Sequence, residues 1–127
     1  MKNILILGGG FAGLETAIYL KKRKFNVTLV SDRDYFYIYP TSIWVPTGES
    51  TFKDVCIDLK ELQRAHGFSL VIDAVQSISA KKNLVTLQSG KTYDDYDYLV
   101  VAMGAHKMQH KGLINTLSIC GAPEQSL

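Results

Sequence analysis

The stretch Lys2–Gly13 reads KNILILGGGFAG, and the fold turns on it. Its apolar run, Ile4–Leu7, has the character of a buried strand and stops at Gly8. Gly8, Gly10 and Gly13 then complete G-x-G-x-x-G, directly after a strand pattern and directly before a helical one. Each glycine has a physical reason. Gly8 permits the tight turn off the strand, Gly10 lets the backbone approach a pyrophosphate, and Gly13 lets the helix lie close to the strand. The helix N-terminus at Phe11, Ala12 and Gly13 offers free N–H groups and a partial positive charge to phosphates. The stretch therefore reads as a dinucleotide site. The plainer alternative is a tight strand–helix turn with no ligand.

Outward from this turn, Phe11 to about Lys22 is helical. Phe11, Leu14, Ala17 and Ile18 share a face that Tyr19 and Leu20 widen. Asn26–Val30 is a second apolar strand, closed by Ser31-Asp32-Arg33. Strand, helix and strand form a βαβ unit whose crossover should be right-handed. Asp32 stands 19 residues beyond Gly13. An acid at the end of the second strand suits the hydroxyls of an adenosine ribose. Ser31 sits where that acid often stands, so either Ser31 or Asp32 reaches the ribose, or the pair is only a polar strand end.

The segment Asp34–Pro46 is dense in aromatics and too irregular for a strand or helix. It lines either a flat aromatic cofactor or a partner surface, or it is a hydrophobic loop over the sheet edge. Ser50 or Thr51 is positioned to cap a helix from about Lys53 to His66. Phe52, Val55, Cys56, Leu59 and Leu62 keep helical spacing there, and Gly67 suits the position after the helix. Cys56 reads as a small core residue on that face, and His66 as a dipole-compensating or surface histidine. Phe68–Asp73 is a third core strand. Val75–Ser79, Leu84–Gln88 and Lys91–Tyr93, separated by turn residues, form an antiparallel meander. Tyr96–Ala102 is a last buried parallel strand ending in Met103-Gly104. Residues 105–112 are a polar linker containing His106 and His110, and Leu113–Cys120 resumes an apolar pattern. The chain thus divides into residues 1–112 and a following segment, 113–127.

Composition narrows the class. The chain has 127 residues, 46% of them apolar, 20% charged, with a net charge of +2. That charge argues against a nucleic-acid partner, since no cationic block interleaves with aromatics. Lys21-Lys22-Arg23-Lys24 falls at a helix end, where cations complement the dipole. Met1 leads straight into a strand and no apolar stretch spans a bilayer, so neither a signal peptide nor a membrane segment is expected. Cys56 and Cys120 have no metal or C-x-x-C spacing, which excludes a zinc site and points to the reducing cytoplasm. Asn26-Val27-Thr28 matches a glycosylation sequon but opens a strand, and is read as chance.

The order of elements resembles the N-terminal half of the FAD domain in the two-dinucleotide-binding-domain flavoproteins, the pyridine nucleotide–disulfide oxidoreductase superfamily. Tyr93–Gly104, YDDYDYLVVAMG, resembles that superfamily's YDYLVIATG segment, with Met103 at the family's threonine. Ser31–Phe36 followed by Pro40, and Leu117-Ser118-Ile119-Cys120, resemble the sulfide:quinone oxidoreductase and flavocytochrome c sulfide dehydrogenase branch. Type II NADH dehydrogenases share the first of these stretches more loosely. Pro40–Pro46 has no cysteine, unlike the dithiol reductases of the superfamily.

The resemblance implies α/β architecture: a Rossmann-like parallel sheet with a three-stranded meander. It implies FAD as cofactor, its pyrophosphate on the glycine loop and its ribose at Ser31 or Asp32, beside Arg33. The adenine would lie near the backbone of Ala74-Val75, and the phosphate–ribityl part near Ala102-Met103-Gly104. In the sulfide-oxidising branch, cysteines take sulfide sulfur as a persulfide and pass electrons through FAD to quinone. Cys120 matches the first family cysteine, and is either functional or a buried structural thiol. Such flavoproteins run several times longer. The chain is thus expected to be the N-terminal portion of a parent that touches the membrane peripherally through residues beyond it. It should be inactive alone, and prone to pair with a second copy through uncovered surface. A type II NADH:quinone dehydrogenase and a non-catalytic truncated nucleotide-binding module are the alternatives.

Overall fold

A computed structural model describes residues 1–105. Cys120, His106, His110 and the expected boundary at 112/113 lie outside the described residues. The chain falls into two compact units, one of Met1–Phe36 with Asp58–Gly104, the other including Tyr37–Ile57.

In the first unit, β1 (Asn3–Leu7) leads into α1 (Phe11–Lys22), which returns to β2 (Asn26–Ser31). Ile4–Leu7 are all buried, as a parallel strand covered on both faces requires. Two further strands, β5 (Ser69–Ile72) and β9 (Tyr98–Val101), complete a four-stranded sheet of order β5-β2-β1-β9. Every pairing in it is parallel. Between them runs the antiparallel meander β6 (Val75–Ser79), β7 (Leu84–Leu87) and β8 (Thr92–Tyr93), with a register shift between Val75 and Ser77. Leu5, Leu7, Val30, Val85 and Leu87 form one buried cluster, so the meander and the parallel sheet share a core. These elements confirm the α/β class and the meander.

The expected burial of the two outer strands needs correcting. Among the described residues β5 and β9 are the sheet's edges, each with a single neighbour. Tyr98 and Val101 are accordingly 59% and 58% exposed, and Ile72 is exposed as well. Apolar runs mark β-strands, but they do not tell a central strand from an edge one.

The expected helix over 53–66 is also corrected. A 3-10 turn, Phe52–Val55, is followed by the short extended strand β4 (Cys56–Asp58) and only then by α2 (Leu59–His66). Two caps divide the stretch. The Asp54 carboxylate accepts from the Thr51 N–H at 2.8 Å and from its hydroxyl at 2.7 Å. Asp58 then starts α2, its Oδ1 accepting the Lys60 N–H at 2.8 Å. Cys56 is therefore a half-buried strand residue, not a core residue on a helix face. α2 ends as expected at Gly67, whose φ of 77° is left-handed and whose N–H reaches the Gln63 carbonyl.

The aromatic segment is more regular than its sequence suggests. β3 (Tyr35–Tyr37) leads into a 3-10 helix over Tyr39–Trp44, with Pro40 in its first turn. The Tyr37 ring meets Tyr39 and Phe52, both at 6.1 Å between centroids. Its hydroxyl is buried without a hydrogen-bond partner among the described residues. Ser42, Val45 and Val55 are buried here, while Tyr39, Ile43 and Trp44 stay exposed.

Candidate functional site

Parallel pairing brings the carboxyl ends of four strands to one edge. Leu7 is level with Val30 and with Val101, and Ser31 with Ile72. The residues that follow these positions are stitched together. The Gly8 N–H donates to the Val30 carbonyl, Ala102 N–H to Leu7, and Asp73 N–H to Ser31, each at 2.8 Å. The glycine loop, Ser31-Asp32-Arg33, Ala74-Val75 and Ala102-Met103-Gly104 therefore share the edge where an open α/β sheet places ligands.

Sterics explain the glycines. Gly8 has φ +112°, and a Cβ on it would stand 2.2 Å from the Ala102 carbonyl oxygen. A Cβ on Gly13 would stand 1.8 Å from the Gly8 carbonyl oxygen. Gly10 differs: a Cβ there would meet nothing within 4 Å. The space beside Gly10 is a cradle that a side chain would fill, and α1 begins at its rim. The first intrahelical bond runs from the Leu14 N–H to Gly10, so the N–H groups of Phe11, Ala12 and Gly13 precede the helical ladder. Those donors suit a diphosphate.

At the end of β2 the two ribose candidates separate. Ser31 is 3% exposed, and its hydroxyl donates to the Arg33 carbonyl at 2.7 Å while accepting the Arg33 N–H at 3.2 Å. Asp32 is exposed, its carboxylate 3.6 Å from Arg33 Nε. The Arg33 guanidinium in turn lies 5.9 Å from the Tyr35 ring centre. Among the remaining candidates, Val75 packs its side chain on the core and offers only main chain. The Ala74 carbonyl accepts the Gln88 N–H. Met103 is half-exposed, and Gly104 is left-handed at φ +69°. Phe11 turns its ring onto Phe36, edge to face at 4.8 Å, above an apolar groove of about 590 Å³ along α1.

Two residues at this edge escape the motif reading. A Cβ on Gly9 would lie 2.5 Å from Ser31 Oγ. The clue is that three consecutive glycines exceed what G-x-G-x-x-G requires. Asp73 is the other. Its carboxylate accepts the Ala74 N–H, the Ser89 N–H and the Ser89 hydroxyl, tying β5 to the β7–β8 turn. The Ser89 hydroxyl, first among these, holds the Asp73 carboxyl below its ordinary range. An aspartate between a strand and a turn is the available signal.

A parallel βαβ unit with a glycine loop at the head of its helix and an acid at its second strand end defines an α/β protein of the Rossmann kind. The family profile described as pyridine nucleotide-disulphide oxidoreductase matches residues 2–122, and the chain belongs to that family. A sulfide-quinone reductase of Aquifex aeolicus is 35% identical over 105 residues, covering 81% of this chain and 24% of that protein. The crystal structure of the sulfide:quinone oxidoreductase from Aquifex aeolicus superposes with a TM-score of 0.89 at 32% identity, covering 99% of this chain and 31% of that one. A type II NADH:quinone oxidoreductase of Staphylococcus epidermidis is 28% identical over 110 residues, 81% of this chain and 26% of its own. The chain thus spans about a quarter of the length of these relatives. Among the described residues no helix is long and apolar enough to cross a membrane.

Proposed function

We propose that this chain is the FAD-binding portion of a flavin-dependent oxidoreductase that oxidises sulfide and reduces a quinone. The observation that carries the reading is the contrast within the glycine loop. Gly8 and Gly13 are closed by backbone, while Gly10 faces open space beside the α1 donors. A dinucleotide pyrophosphate suits that space. Phe11, Ala12 and Gly13 would hold it through main-chain N–H groups, and Asp32 would take the ribose hydroxyls. Ala102-Met103-Gly104 would flank the ribityl end, and Ala74-Val75 the adenine. Bound flavin supplies the two-electron redox chemistry, and the chain supplies position and electrostatics. Cys120, beyond the described residues, is assigned to sulfur chemistry on the resemblance alone.

The sulfide assignment draws on the Aquifex relative, and the quinone on both groups of relatives. The second reading, an NADH:quinone oxidoreductase, draws on the staphylococcal relative. The 127-residue chain by itself is expected to hold FAD weakly, to turn nothing over, and to pair with a second copy. A parent reducing quinone would meet the membrane peripherally.

The test is a visible spectrum of the purified chain after FAD addition and desalting, paired with quinone reduction by the full-length gene product. Sulfide-dependent reduction supports the first reading. NADH-dependent reduction without a sulfide response replaces it with the second. A full-length product that binds no flavin overturns both.

A further inference from the structure

We infer that Ser31 is a positioning residue that aims Asp32 at the ligand, and that Gly9 is a glycine because the glycine loop rests on Ser31. The inference builds on the dinucleotide reading and resolves which of the two residues at the β2 end meets the ribose.

The Ser31 hydroxyl spends its proton on the Arg33 carbonyl and accepts the Arg33 N–H. Both bonds go to the same residue and enclose Asp32 between them. The Ser31 carbonyl is held as well, by the Asp73 N–H at 2.8 Å. The main chain of the turn is therefore fixed on both sides of Asp32, while the Asp32 side chain projects to solvent beside that of Arg33. A ribose hydroxyl could reach Ser31 Oγ only by breaking this turn and entering a site that is 3% exposed.

The second observation lies on the loop side. A Cβ on Gly9 would stand 2.5 Å from Ser31 Oγ, 2.7 Å from Ser31 Cβ and 3.2 Å from Leu59 Cδ1. The loop that carries the phosphate donors and the turn that carries the acid are thus in direct contact at Gly9 and Ser31. The span between Asp32 and the α1 N–H groups is set there. A fixed span matters because a dinucleotide must satisfy both ends at once, and preorganisation lowers the cost of binding.

The test is a double-mutant cycle on FAD and ADP affinity, measured by titration of the 127-residue chain. If Ser31 acts through Asp32, Ser31→Ala weakens both ligands about fivefold, the loss of one ordinary hydrogen bond. In the Asp32→Ala background the same change then has almost no further effect. FMN, which lacks the adenosine ribose, should be insensitive to Ser31→Ala. An equal loss in both backgrounds means that Ser31 touches the ligand itself and overturns the inference, as does an unchanged affinity for Ser31→Ala. A ligand-free arm keeps the two readings apart. Amide exchange at Arg33 should accelerate in Ser31→Ala, and unaltered exchange overturns the turn geometry whatever binds. A wild-type chain that binds neither FAD nor ADP, with Arg33 exchange responding as expected, overturns the aiming role while leaving the turn intact, and the dinucleotide reading is then decided separately by flavin binding to the full-length product.

Discussion

A Cβ on Gly13 would stand 1.8 Å from the carbonyl oxygen of Gly8, a contact no side-chain rotation relieves because the main chain fixes the Cβ position and the oxygen is itself main chain. Gly10, three residues earlier, has φ −82° and open space around its missing Cβ. The two glycines of one motif therefore answer to different pressures, one to folding and one to binding. Gly13→Ala should lower stability by about 3 kcal/mol, at the upper end of overpacking costs. Gly10→Ala should stay within about 0.5 kcal/mol of the parent chain. Urea denaturation of both variants checks this, alongside FAD titration, in which Gly10→Ala should lose most of its affinity while remaining folded.

The Lys2–Asp97 pair makes stability depend on pH at both extremes. The Asp97 carboxylate accepts the Asn3 N–H at 2.7 Å and Lys2 Nζ at 3.0 Å. The Asn3 N–H first, and then Lys2, hold the Asp97 carboxyl below its ordinary 3.8. The Asp97 hydrogen bond and charge hold the Lys2 amine above its ordinary 10.5. A carboxyl more acidic in the folded chain adds stability above about pH 4, lost as pH falls through its lowered value. An amine more basic in the folded chain adds stability below 10.5, lost as pH rises through its raised value. Asp54 and Asp73, held down by the hydroxyls of Thr51 and Ser89, add to the acid side. Asp97→Asn should shallow the acid limb of the urea-midpoint profile and remove the Lys2 contribution to the alkaline limb. Added salt should shrink the Lys2 contribution in the parent chain, because the pair is solvent-exposed.

How far the sequence was legible follows from where each signal resides. β1 and β2 were readable because burial writes a near-continuous apolar run, α1 because its buried Leu14 and Ala17 keep one face, and the glycine motif marks the turn within a dozen residues. The break at Cys56–Asp58 was hidden because Val55 and Leu59 are four apart, which keeps helical phase across a non-helical link. Only Thr51–Asp54 and Asp58–Lys60 betray it, as two capping signals where one helix needs one. At the site, the glycine loop and Asp32 were visible as a motif. The occupied hydroxyl of Ser31 and the reason for Gly9 were not, because they depend on a contact between residues 22 apart in the chain.

The capping argument has its own consequence. In an uninterrupted helix over 53–66, position 58 would be interior and exposed, and alanine there would be neutral or stabilising. In the observed fold Asp58 is the N-cap of α2, and Asp58→Ala should cost about 1 kcal/mol. Amide exchange should rise first at Lys60, whose N–H loses its acceptor. An unchanged or improved stability would favour the continuous helix.

The shared core predicts that the meander and the parallel sheet unfold together. Leu87 and Val85 from β7 are fully buried in the cluster that holds Leu5, Leu7 and Val30. Each sheet alone would leave that face in water. A three-stranded meander whose last strand is two residues long has little independent stability. Leu87→Ala should therefore cost about 2–5 kcal/mol through the cavity it leaves, and the loss should register equally in both sheets. Native-state amide exchange followed at Val85 and at Ile6 checks it: equal acceleration at both sites marks one cooperative unit. If β7 opened while Ile6 stayed protected, the meander would be a separate, weaker module, and the cluster would contribute less than its burial indicates.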